Sequence, residues 1–121
     1  MTNNSDLEIY LLKAEADDVL AWLTSELGEL EQQQQNGDSL KWIINGMTIV
    51  FTPKAEDNFG CLWIKQNNTP WATDLDCARS AHTALQKEVR CAASEWTESA
   101  ADEQPGWVKI TRGVEKSFNW D

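Results

Sequence analysis

The stretch that most constrains the fold is Asn45-Gly46, set between Leu40-Lys-Trp-Ile-Ile44 and Met47-Thr-Ile-Val-Phe-Thr52. An Asn-Gly pair supplies the positive φ that both central positions of a type I′ turn require, and the flanking runs are rich in β-branched and aromatic residues. A β-hairpin is the expectation here. Pro53 lacks an N–H for a ladder and is expected to close the second strand. Gly60-Cys-Leu-Trp-Ile-Lys65 follows a turn at Glu56-Asp-Asn-Phe59 and reads as the third strand of one meander.

Other segments are assigned by period. Leu7-Glu-Ile-Tyr-Leu-Leu12 alternates and reads as a strand. Over residues 15–30, Ala16, Val19, Leu20, Leu23, Leu27 and Leu30 gather on one side of a helix. Asp17 and Asp18 suit its first turn, and Gly28 can end its last. Gln32-Gln-Gln-Gln35 with Asn36-Gly37-Asp38 reads as a polar loop. Thr73 with Asp76 three positions on resembles a capping box, so a second helix is expected over 74–87. Its stripe of Cys77, Ala78, Ala81, Ala84 and Leu85 is small enough to sit close to a sheet. Val89-Arg-Cys91 is either a short strand or an extension of that helix to about residue 93. After a polar stretch over 98–106, Trp107–Thr111 and Val114–Trp120 flank Arg112-Gly113 as a last hairpin, with Val114, Lys116, Phe118 and Trp120 on one face. The sum is one α+β domain spanning residues 1–121, a mostly antiparallel sheet of six or seven strands with two helices packed on one face.

Charge narrows the partners. The chain has 20 acidic and 10 basic residues, a formal net charge of −10. Such a chain lacks the basic footprint of a nucleic-acid binder and is repelled by anionic membrane. A basic protein partner is allowed and would be steered in at low salt. Most of the negative field comes from residues 1–40, where nine acids face Lys13 alone. No apolar run is long enough to span a bilayer, and Met1–Asp6 carries no secretory pattern. The odd cysteine count, Cys61, Cys77 and Cys91, suits a reducing cytoplasmic setting.

Asn68-Thr-Pro-Trp-Ala-Thr-Asp-Leu-Asp-Cys-Ala-Arg79, with Glu88-Val-Arg-Cys91 and Trp96 downstream, resembles a group of small bacterial proteins that share this loop–helix segment. The likeness covers about a quarter of the chain. It implies a bacterial, cytoplasmic setting and carries no activity with it.

Catalytic and metal chemistry find little to stand on. His82 is the only histidine, and a base paired with Cys77 or Cys91 competes with a histidine that merely packs its ring. Asp74 and Asp76 point apart on a helix. No phosphate loop, dinucleotide fingerprint or zinc spacing is present. No catalytic residue, metal ligand or cofactor is therefore expected.

Tryptophan is over-used, at seven residues. Trp42 and Trp63 fall in central strands and read as core or sheet-face residues. On the helical wheel Trp22 falls among Glu15, Asp18, Glu26 and Glu29, away from the leucine stripe. An indole ringed by carboxylates has the makings of an interface anchor, against the alternative of a ring that seals the core edge. Trp71, stiffened by Pro70, is either presented to a ligand or plugged beneath the second helix. Two functions follow. One is a non-enzymatic interaction module of inhibitor, immunity or adaptor type, whose acidic helix face, centred on Trp22, meets a basic protein. The other is a small-molecule-binding protein or enzyme with its site near the 67–71 loop.

Overall fold

A computed structural model describes residues 6–66, 68–92 and 106–118. The elements, in chain order, are β1 (Leu7–Leu12), α1 (Ala16–Leu27), β2 (Leu30–Asn36), β3 (Ser39–Ile44), β4 (Met47–Glu56), β5 (Phe59–Ile64), α2 (Asp74–Leu85), β6 (Val89–Ala92), β7 (Trp107–Thr111) and β8 (Val114–Phe118). They build one eight-stranded sheet in the order β2-β3-β4-β5-β1-β6-β7-β8, antiparallel at every pairing. The α+β architecture thus stands, with eight strands instead of six or seven.

The expected hairpin forms at Asn45-Gly46, both at positive φ (53° and 78°), and pairs Ile44 with Met47 and Leu40 with Phe51. Thr73 caps α2: its hydroxyl accepts the Asp76 N–H at 3.1 Å. The segment Val89–Ala92 is a strand, pairing with β1 on one side and β7 on the other. α1 is shorter than expected and stops before Gly28, whose φ of 126° ends the helix. α2 ends at Leu85, where Gln86 turns left-handed. Trp96, Trp120 and nearly all of the polar stretch over 98–106 lie outside the described residues.

Two expectations are corrected. The glutamine run is not a loop. It forms edge strand β2, pairing Gln33 with Trp42 and Gln35 with Leu40. Both faces of that strand meet water, so no alternation marks it; main-chain pairing and the Trp42 Nε1–H to Gln33 Oε1 bond (3.0 Å) hold it. Nor does Pro53 end its strand. The β4–β5 register is irregular between Thr52 and Glu56, where Lys54 takes φ 56°, and a bulge asks no ladder N–H of a proline.

One core fills the space between the helices and one face of the sheet. Leu7, Ile9, Leu11, Ile44, Ile49, Phe51, Leu62, Ile64, Val89 and Val108 meet Val19, Leu23, Leu75, Ala78 and Ala81 there. α2 lies across β1, β6 and β7 and against α1. Its alanines permit that close approach, as the sequence suggests. At Gly60 the backbone runs so near the core that a Cβ would stand 2.8 Å from Phe51 Cε1.

Neither described helix covers the other face of the sheet, which is chemically mixed. Trp63 is its most exposed aromatic, at 37%. Lys65 Nζ lies 4.4 Å from that ring, and Asp6 Oδ2 accepts the indole N–H at 2.8 Å. The Gln66 N–H and this indole hold the Asp6 carboxyl below its ordinary range.

Candidate functional site

The residues singled out on α1 separate into two sets. Glu15, Asp18, Glu26 and Glu29 are exposed as expected, and none forms an ion pair among the described residues. Trp22 is not exposed with them: only 4% of its surface meets solvent. The wheel placed its Cβ correctly, but α2 packs beside α1 and covers that flank. The indole Nε1–H donates to Ser80 Oγ on α2 at 3.0 Å, which satisfies the one polar group it buries. Trp22 as an outward-facing anchor is therefore corrected to a tryptophan that joins the two helices.

Trp71 takes the second of its two expected readings, the plug beneath the second helix. It is 7% exposed, and its ring stacks on Trp22 with centroids 5.2 Å apart and planes 24° from parallel. Its N–H donates to Thr69 Oγ1 at 3.0 Å, which ties the loop to its own plug. The loop before α2 holds the tryptophan under the helix start and does not present it.

The arrangement leaves a groove of about 440 Å³ between α1 and the end of α2. Its apolar lining comes from Ala14, Ala21, Ala84 and Leu85, with the edge of Trp22; Glu15 and Asp18 stand on one rim and Lys87 lines it as well. Three of the six residues chosen from sequence (Glu15, Asp18 and Trp22) thus meet in one concavity. Glu26 and Glu29 lie outside its lining. Trp71 backs Trp22 from the core side.

The remaining reactive groups serve the fold. His82 Nε2 accepts the Gly113 N–H at 3.0 Å, which places the ring proton on Nδ1, 2.8 Å from the Lys87 carbonyl oxygen. Nε2 ties α2 to the β7–β8 turn, and Nδ1 ties it to the link into β6. Cys77 and Cys91 are buried. Desolvation pushes the Cys91 thiol up to about 12 and Cys77 well above its ordinary value. Cys61 donates to Glu8 Oε2 at 3.3 Å and is pushed up to about 12, chiefly by burial and then by that carboxylate. Thiols held in the protonated form are poor nucleophiles. Asp74 Oδ1 accepts the Glu8 N–H at 3.0 Å, while Asp76 turns to Arg79 at 3.5 Å; the two carboxylates do separate work. Among the described residues no group of three or more His, Cys, Asp or Glu side chains could hold a metal ion.

A second concavity, missed in the sequence, lies on the uncovered face at the β7–β8 hairpin. It measures about 360 Å³ and is lined by Glu88, Lys109, Thr111, Arg112, Val114 and Lys116. The signal was present: a two-residue turn at Arg112-Gly113 sets Lys109 directly opposite Lys116.

No protein-family model, curated protein or solved structure matches the chain.

Proposed function

We propose that the protein is a non-enzymatic interaction module that receives a basic segment of a partner protein in the groove between α1 and α2. One observation carries this reading: Glu15 and Asp18 are exposed and without ion-pair partners among the described residues, at the rim of an apolar groove. A lysine or arginine can lay its alkyl stem on Ala21, Ala84 and Leu85 while its head meets a carboxylate. Lys87 excludes a second cation from its own part of the groove. Asp17, Glu26 and Glu29 extend the same negative field beyond it and would steer the partner. The contact is smaller than one built on an indole anchor, and Trp22 contributes a rigid wall to it.

The charge of −10 supports a protein partner over nucleic acid or anionic membrane. No described helix is long and apolar enough to cross a membrane. Three free thiols support a reducing, cytoplasmic setting, and the loop–helix resemblance supports a bacterial one.

The test is a panel of lysine- and arginine-rich peptides titrated at low and high salt, read by tryptophan fluorescence. The double variant Glu15→Gln/Asp18→Asn should weaken binding about tenfold and flatten its salt dependence. Equal binding by the wild type and the double variant would refute the groove as the site.

A further inference from the structure

We propose that the concavity at the β7–β8 hairpin is a binding site for a small phosphate monoester, held by Lys109, Arg112 and Lys116 and oriented by the Thr111 hydroxyl. It lies on the uncovered face of the sheet, across the core from the α1–α2 groove, and does not depend on the function proposed for that groove.

Cation placement is the first observation. Arg90 on β6 pairs with Lys109 on β7, and Lys109 pairs with Lys116 on β8, so three positive side chains stand in one row across three strands. Arg112 adds a fourth at the turn. Like charges directly opposite each other on a sheet are destabilising. This chain has twice as many acids as bases, 20 to 10, yet sets bases against bases here. Arg90 is answered by Glu88, at 2.8 Å from Nε. Lys109, Arg112 and Lys116 have no ion-pair partner among the described residues; Lys109 Nζ lies 5.4 Å from the Phe118 ring.

A second observation is independent of charge. Thr111 Oγ1 is buried and has no hydrogen-bond partner among the described residues. A buried hydroxyl without a partner is uncommon, because its desolvation is uncompensated. Thr111 lines the same concavity as the unpaired cations. An anion there would accept from the cations directly, and from the hydroxyl once a turn about χ1 brings it out of burial.

The chemistry selects the ligand. Several donors converging from two strands and a turn suit a group with three acceptor oxygens and nearly two negative charges, which is a phosphate monoester. A volume of about 360 Å³ exceeds what a bare phosphate fills. Val114, 51% exposed, offers the organic part an apolar contact. Glu88, the one carboxylate in the lining, is neutralised by Arg90.

The test follows the backbone amides of residues 109–116 by NMR while phenyl phosphate, inorganic phosphate and succinate are titrated into the full chain. Phenyl phosphate should give saturable shifts there with a Kd below about 1 mM, inorganic phosphate should bind about tenfold more weakly, and succinate should not saturate. Lys116→Met and Arg112→Gln, both at exposed positions, should abolish saturation. Thr111→Val should weaken it several-fold with every charge in place. Absence of saturation by phenyl phosphate, or shifts that persist in both charge variants, overturns the site. Succinate binding as well as the ester overturns the ligand class, and inorganic phosphate binding as tightly overturns the organic portion.

Discussion

Every side chain that turns from β1, β3, β4, β6 and β7 toward the helices is apolar, from Leu7 through Trp42 and Phe51 to Ile110. The opposite face of the same strands carries Glu8, Lys41, Arg90 and Lys109 beside Tyr10 and Trp107. The described residues place no charged or polar side chain in the buried class. Packing alone selects residues on the covered face, since a charge there would have to be desolvated without a partner. On the uncovered face packing is permissive, so a charge pattern that does not help folding calls for another explanation. Stability and binding should accordingly separate by face.

The largest expected effect lies on the covered side. Trp22→Ala removes a ring wedged between two helices and stacked on Trp71, and should cost about 3–5 kcal/mol in urea unfolding. A solvent-facing anchor would instead lose binding with little change in stability. Gly60→Ala probes the same face by addition. Its Cβ would come 2.8 and 2.9 Å from Phe51 Cε1 and Cζ, and the clash should cost about 1–3 kcal/mol. Phe51→Leu, which removes the ring edge, should recover part of that loss in the double variant, as direct neighbours do not add.

Alkaline pH reaches groups on both faces. In the folded chain Cys61 and Cys91 keep their protons up to about 12, against an ordinary 9.0 once exposed. Between those values the unfolded chain binds fewer protons than the folded one, so stability is undiminished below pH 9 and falls as pH rises. Cys77 and Tyr10, both raised by burial first, act in the same direction. At pH 10 the buried Cys91 should account for about 1 kcal/mol, and Cys61 for less because it is partly solvated. Urea midpoints at pH 8 and pH 10 check this: Cys91→Ala should flatten the decline, and an unchanged slope would show that the thiol is not desolvated.

What the sequence made legible follows the same division. The Asn45-Gly46 turn, the Thr73 cap and the leucine stripe of α1 are local signals tied to backbone geometry or to one buried face, and they placed the meander and both helices. β2 was hidden because a strand wet on both faces has no period to read. Trp22 stayed open between anchor and core-edge seal because a helical wheel shows one covered side, whereas α1 is covered on two. Ser80, beside Ala78 and Ala81 on the second helix, held the clue: small residues with a hydroxyl among them make a berth for an indole. Glu15 and Asp18 were singled out by their spacing alone, but the groove that they line needs the second helix and was beyond reach. The cations of the last hairpin are set in register by its turn, but a net charge dominated by acids masks a local basic row.

The smallest expected effect bears hardest on the contrast between faces. If Lys109 and Lys116 repel each other across β7 and β8, replacing one of them should stabilise the free protein. Lys116→Met keeps most of the aliphatic stem and should gain about 0.2–1 kcal/mol in urea unfolding at low salt. The gain should shrink as salt screens the repulsion, and phenyl phosphate should erase it by stabilising only the wild type. A residue kept for folding would do the opposite and lose stability when removed. Lys41, on the same face but opposite Val50, has no cation across from it and serves as the control. Lys41→Met should leave stability within about 0.5 kcal/mol of the wild type, with no dependence on the ester. A loss of stability in Lys116→Met would mean that this lysine, too, was selected by packing, and the uncovered face would then be only the outer side of the fold.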